Sequence, residues 1–191
     1  MTSARLEAFS DAVIAIVITI MVLELRVPHG ADWASLSPLI PVFLAYVLSF
    51  VNLGIYWNNH HHMFVTVDRV NGRILWANLH LLFWLSLFPF MTGWMGETRF
   101  ASLPIAFYGG VSLLAAVAYV ILQTAIISEQ GPGSRLAAAL GRDLKGKSSP
   151  ILYLTAIPLA FVFRWISIGL YVLVTLAWLV PDRRIESTVE R

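Results

Sequence analysis

The chain has 191 residues, of which 58% are hydrophobic and 13% charged, with no cysteine and a formal net charge of +2. Soluble domains are about 45–50% apolar and about 25% charged, so this composition, with a mean hydropathy of +0.75, reads as an integral membrane protein. It excludes a disulfide framework and a thiol-based metal or redox site. It also argues against a nucleic-acid-binding patch, because the basic residues gather at predicted helix ends.

The first predicted span, residues 6–25, opens with Arg5, Glu7 and Asp11, carries no charge from Ala12 to Leu23, and closes on Glu24 and Arg26. That uncharged core covers only about 18 Å of helix, whereas a bilayer core needs about 20 residues, roughly 30 Å. As a span it must carry Asp11 within the membrane's thickness, where ionisable groups face protein or water. We therefore expect a central helix wrapped by others. A cleaved leader is not expected, since Glu7 and Asp11 spoil a basic opening and no A-x-A-like site follows Leu25.

Val27-Pro28-His29-Gly30 breaks the chain. Span two, residues 37–56, has Pro38 and Pro41 in its first turns, where a missing N–H costs little, and ends in the polar run Trp57-Asn58-Asn59-His60-His61-His62. A loop with Asp68, Arg69, Asn71, Gly72 and Arg73 leads to span three, residues 74–94, which contains Asn78, His80 and Pro89. Span four, residues 103–128, carries small residues from Gly109 to Ala116 that suit close helix packing.

The polar stretch Glu129 to Ser149 includes a short amphipathic helix expected over Ser134–Leu144. From Ile151 to Val180 the only charge is Arg164. A single helix there would be about 45 Å long, so the run is divided into spans at 150–163 and 165–180, the alternative being one tilted helix and five spans. Pro181-Asp182-Arg183-Arg184 stops the last.

With six spans, ten of the 13 basic residues fall on one side: Arg5, Arg69, Arg73, Arg135, Arg142, Lys145, Lys147, Arg183, Arg184 and Arg191. Arg26, Arg99 and Arg164 fall on the other. The positive-inside rule then places both termini in the cytoplasm, and the expected location is the cell (plasma) membrane.

No catalytic constellation is present: there is no HExxH, GxSxG or phosphate loop, so no enzyme activity, cofactor or metal is expected. His60, His61 and His62 point about 100° apart on a helix and do not converge on one ion; they read as a polar helix end. For Asp11 two roles stay open, an acid at a helix N-terminus near the headgroups or a buried acceptor. Two starts stay open as well: a helix from residue 6, or one that leaves Phe9 outside with Ser10 or Asp11 as its cap. Arg5 is near enough to pair with Asp11, and His60, His61, Asn78 and His80 lie at matching depth. The rarity of lone intramembrane charges favours the buried network.

There is no TVGYG carbonyl filter; a hydrophobic constriction is the other permeation device the first helix offers. At about 100° per residue from Asp11, Thr19, Leu23, Ile16 and Ile20 form one stripe about 100° wide. Periodicity does not choose this face, since Val13, Ile14 and Val17 would serve equally for packing or lipid.

Arg5-x-x-x-Phe9-Ser10-Asp11 resembles the RxxxFSD signature on the first helix of the transmembrane protein 175 family, the endosomal and lysosomal potassium channels and their prokaryotic relatives. The resemblance implies an all-α, six-helix unit assembled as a homotetramer, with the first helix lining the pore. It implies stacked apolar rings at Ile16, Ile20 and Leu23, a pore threonine at Thr19, and Ala15 where animal members often carry Ser. Arg5, Phe9, Ser10 and Asp11 would hold the pore helices in register.

The expected function is a passive, potassium-permeable cation channel whose partners are monovalent cations, the bilayer and its own copies. The rivals are a proton-coupled secondary transporter or proton-conducting channel using Asp11 and the histidines, and a purely structural subunit.

Overall fold

A computed structural model describes residues 2–67, 69–131, 133, 134, 136, 137 and 144–179, and the elements among them are helical. Helix α1 spans Ser3–Leu23 with Thr2 as N-cap. Nothing between Leu6 and Asp11 interrupts a helix, so the charged opening is helical too. Phe9, Ser10 and Asp11 are interior helical residues and none of them is a cap, which corrects the expected start.

A short helix α2, Trp33–Leu36, capped by Asp32 through Ser35 N at 2.9 Å, leads through a 3-10 turn at Ser37–Leu39 into α3, Ile40–Val65. No glycine or proline intervenes after Gly54, so α3 runs on through the histidines, well past the expected end at residue 56.

The expected third span is two helices, α4 at Gly72–Ser86 and α5 at Phe88–Glu97. Asn71 caps α4, its side chain accepting from Ile74 N at 3.0 Å. The break at Leu87 follows from Pro89, which has no N–H to give to the preceding turn. Helix α6 covers Ser102–Gln130 and ends at Gly131, whose φ of +90° a side chain would resist.

The last apolar run is an antiparallel pair, α7 at Leu144–Leu159 and α8 at Arg164–Leu179. Ser167 donates to the Ala156 carbonyl at 2.7 Å and Trp178 Nε1 to Ser149 Oγ at 2.8 Å, which sets them side by side. The joint is residues 160–163 and α7 begins earlier than the expected residue 150. The surface helix expected over Ser134–Leu144 lies largely outside the described residues, as does the stop from Pro181.

Helix α1 packs on α3, α4 and α5; α6 stands between α4–α5 and the α7–α8 pair. Four units, Ser3–Leu23, Trp33–Val65, Gly72–Glu97 and Ser102–Gln130, are long and apolar enough to cross a membrane, and α7 and α8 add two shorter apolar helices. The protein is thus a multi-pass membrane protein with α1 at one edge and α7–α8 at the other.

Glycine sets the closest approach in this packing. A Cβ on Gly96 would stand 2.6 Å from the Val42 Cα, so α5 and α3 touch backbone to backbone. Gly109 leaves room for the Tyr171 hydroxyl, which donates to the Ile105 carbonyl at 3.1 Å. Gly96→Ala has no flexible neighbour to displace and is expected to cost about 1–3 kcal/mol. Gly110→Ala, with nothing within 4 Å, should be neutral. Thermal melting of the two purified variants checks this; equal melting temperatures would refute the backbone contact.

Candidate pore helix and its polar anchor

Helix α1 has two faces. Leu6, Ser10, Ile14, Val17 and Met21 are buried against the neighbouring helices. Val13 and Ile18 are half-buried beside them. Arg5, Phe9, Ala12, Ile16, Thr19, Ile20 and Leu23 point away from the protomer, with Ile16 58% and Leu23 75% exposed. The choice that periodicity left open is therefore made by packing: Ile14 and Val17 are inside, and the stripe of Ile16, Thr19, Ile20 and Leu23 is left free. Thr19 donates to the Ala15 carbonyl at 2.8 Å, so its oxygen lone pairs remain on the free face.

Ser10 anchors the packed face. Its hydroxyl donates to the Leu6 carbonyl at 2.9 Å and accepts from Asn78 Nδ2 at 2.9 Å. Because that nitrogen donates, Asn78 Oδ1 accepts, from His60 Nε2 at 2.8 Å. The proton of a neutral His60 therefore sits on Nε2. The three side chains are buried and join α1, α4 and α3, and the His60 ring stacks on Phe64 with centroids 4.5 Å apart.

Two contacts flank this triad at the rim. Trp57 Nε1 donates to Asp11 Oδ1 at 3.0 Å, and His61 Nδ1 lies 2.6 Å from Glu7 Oε1. Asp11 is half-buried.

The expected network is thus rearranged. Ser10, Asn78 and His60 come together, with Ser10 rather than Asp11 at the centre. Arg5 and Asp11 make no ion pair within the chain among the described residues; six residues apart, they stand on different faces of one helix. His80 is on the far side of α4, where it accepts from Trp84 Nε1 at 2.9 Å. Glu7 and Trp57 were not singled out from the sequence. Glu7 lies one turn before Asp11 and at the depth of His61, which was the available signal.

A second polar chain crosses the protomer further along. Thr92 Oγ1 on α5 lies 2.6 Å from Ser49 Oγ on α3 and 3.8 Å from Met21 Sδ on α1. Ser49 and Asn52 donate to the Tyr108 hydroxyl on α6 at 3.3 and 3.0 Å, and Thr175 on α8 donates to Asn52 Oδ1 at 2.8 Å. At the far end of α1, Arg26 and Glu97 form an exposed pair at 3.1 Å, of a kind that contributes little to stability.

Residues 5–89 match the family described as endosomal/lysosomal potassium channel TMEM175. A potassium channel of Chryseobacterium sp. (strain P1-3) is 55% identical over 190 residues, covering 100% of this chain and 99% of the relative. The crystal structure of a lysosomal potassium-selective channel TMEM175 homolog from Chamaesiphon minutus superposes with a TM-score of 0.83 at 29% identity, covering 94% of this chain and 97% of that one. The human endosomal/lysosomal proton channel TMEM175 is 39% identical over 81 residues, 36% of this chain and 16% of the human protein.

Removing the Ser10 hydroxyl leaves the Asn78 amide buried without its acceptor. Ser10→Ala is expected to lower stability by about 1–3 kcal/mol. Thr19→Val, whose hydroxyl bonds only its own helix, should change stability by less than about 0.5 kcal/mol. Thermal unfolding in detergent compares them, and a Ser10→Ala protein as stable as the parent would remove the anchor from the account.

Proposed function

The chain belongs to the endosomal/lysosomal potassium channel TMEM175 family, and from that premise we propose that it is a potassium-permeable cation channel formed by four copies around α1. The observation that carries this reading is the free face of α1. A helix packed on three neighbours still presents Ile16, Thr19, Ile20 and Leu23 outward. One such face cannot enclose a path, and cyclic symmetry is the usual solution.

In this reading all six apolar helical units cross the membrane. The apolar part of α7, Ser148–Leu159, and α8, Arg164–Leu179, reach about 18 and 24 Å and meet a roughly 30 Å core by local thinning and interfacial side chains. Arg164 sits at the turn between them, 5.2 Å over the Trp165 ring and 3.5 Å from the Phe100 carbonyl, so its charge need not cross lipid. The bias of basic residues puts both termini in the cytoplasm of a cell-membrane protein.

Ile16, Ile20 and Leu23 form successive apolar rings that gate by wetting. Apolar walls do not replace an ion's hydration shell, so the ion that sheds water more easily passes more easily, and that favours potassium over sodium. Flow is passive. Arg5 and Phe9 share the free face, and four unpaired arginines at the cytoplasmic mouth would repel cations. The half-exposed Asp11 of a neighbouring copy supplies the countercharge, which also fixes the register of the four α1 helices.

A second reading, proton conduction, is favoured by the name of the human relative and by the Glu7–His61 contact, two titratable groups beside the same helix. It differs in reversal potential, which would follow a pH gradient rather than a potassium gradient.

Planar-bilayer recording of the purified protein, at a detergent-corrected mass of four chains, tests the proposal. The parent should reverse near the potassium potential. Ile16→Asn should raise current and erase the preference for potassium over sodium, while Leu114→Asn on the outer face of α6 should do neither. An Ile16→Asn channel with unchanged current and reversal potential would sink the assignment of this face.

A further inference from the structure

A cavity of about 50 Å³ lies between α3, α6, α7 and α8, on the far side of the protomer from the free face of α1. Its polar lining includes the amides of Asn52, Asn59 and Gln123, the phenols of Tyr56, Tyr119 and Tyr153, the Ser149 hydroxyl and the Trp178 indole. No charged side chain lines it among the described residues.

Three of these groups have no hydrogen-bond partner among the described residues. Gln123 is only 8% exposed, yet its amide makes no hydrogen bond among the described residues. The phenols of Tyr56 and Tyr153 make none either. Buried polar groups in a membrane helix bundle need partners, so the cavity is built for something that both donates and accepts hydrogen bonds.

Charge, size and access narrow the class. The uncharged lining that the described residues present disfavours an ion or a phosphate, because none of them repays its lost hydration. A water needs about 10–15 Å³ of such space, so the cavity admits only a few heavy atoms. Ile55, Ala116 and Val174 give it apolar walls. Val120 both lines it and is 41% exposed, which puts its mouth on the outer side of α6.

We propose that this cavity binds the hydroxyl end of a neutral amphiphile, with Gln123, Tyr56 and Tyr153 holding the hydroxyl and the alkyl chain leaving past Val120. A free alkanol and the glycerol end of a neutral glyceride share this chemistry. The site does not depend on where ions cross.

The test is photolabelling of the purified protein in lipid nanodiscs with a long-chain primary alkanol carrying a diazirine, followed by peptide mass spectrometry. Label is expected around Gln123, Tyr56 and Tyr153. It should be displaced by 1-decanol and not by decane; displacement by a monoacylglycerol as well would identify a glyceride as an occupant. Ala116→Phe, which fills the cavity, should abolish this label. Gln123→Leu should weaken alkanol competition about tenfold, the effect of one lost buried hydrogen bond, and it carries the test if Ala116→Phe does not fold. Label spread evenly over the lipid-facing surface, equal competition by decane, or cavity label unaffected by both substitutions would each overturn the site and leave water as the occupant.

Discussion

The hydrogen bond from Asn78 to Ser10 decides which way α1 faces. Within lipid there is no water to satisfy a stray amide, so an unmade bond there is costly. Rotating α1 by a quarter turn would leave the Asn78 nitrogen unpaired and swing Ser10 toward the apolar surround. His60, held to the other end of the same amide, closes the arrangement across three helices. The apolar contacts of Leu6, Ile14, Val17 and Met21 supply attraction without direction; the polar triad supplies the direction. Met21 meets Thr92 at the start of the second polar chain, so α1 is registered at two heights.

Once α1 is turned this way, its other features follow. The free stripe runs continuously from Arg5 and Phe9 through Ala12 and Ile16 to Leu23. Charge stands at the predicted cytoplasmic end of that stripe and apolar side chains fill the rest. The α7–α8 pair, at the opposite edge, carries its own partly open cavity. The chain thus keeps the free stripe of α1 and this cavity at opposite edges of the helix bundle.

Much of this was legible in the sequence because long uncharged runs have few solutions in a membrane. The apolar runs, the break at Pro28 and the turn near Arg164 all mark apolar helices, although α3 runs on to Val65 and the third run is two helices. What failed was facing and balance. Helix α1 is apolar all round, so nothing in its periodicity separates Ile14 from Ile16; packing on α3, α4 and α5 does. Charge drew attention to Asp11 as the buried member, whereas Ser10 is the cheaper group to bury, since a hydroxyl can also bond its own helix while a carboxylate loses several kcal/mol of hydration. His80 was grouped with Asn78, although residues two apart on a helix do not share a face. The split at Leu87 was announced by Pro89 but not read as a break.

The central claim is that the outward face of α1 lines the ion path. The absence of native cysteine allows a direct test. Single cysteines at Ile20 and at Val17 are compared in bilayer recordings under cadmium. The account predicts that Ile20→Cys channels, with four thiols converging on one axis, are blocked and are released by a chelator, while Val17→Cys channels are unaffected. Block at Val17→Cys with none at Ile20→Cys would contradict it.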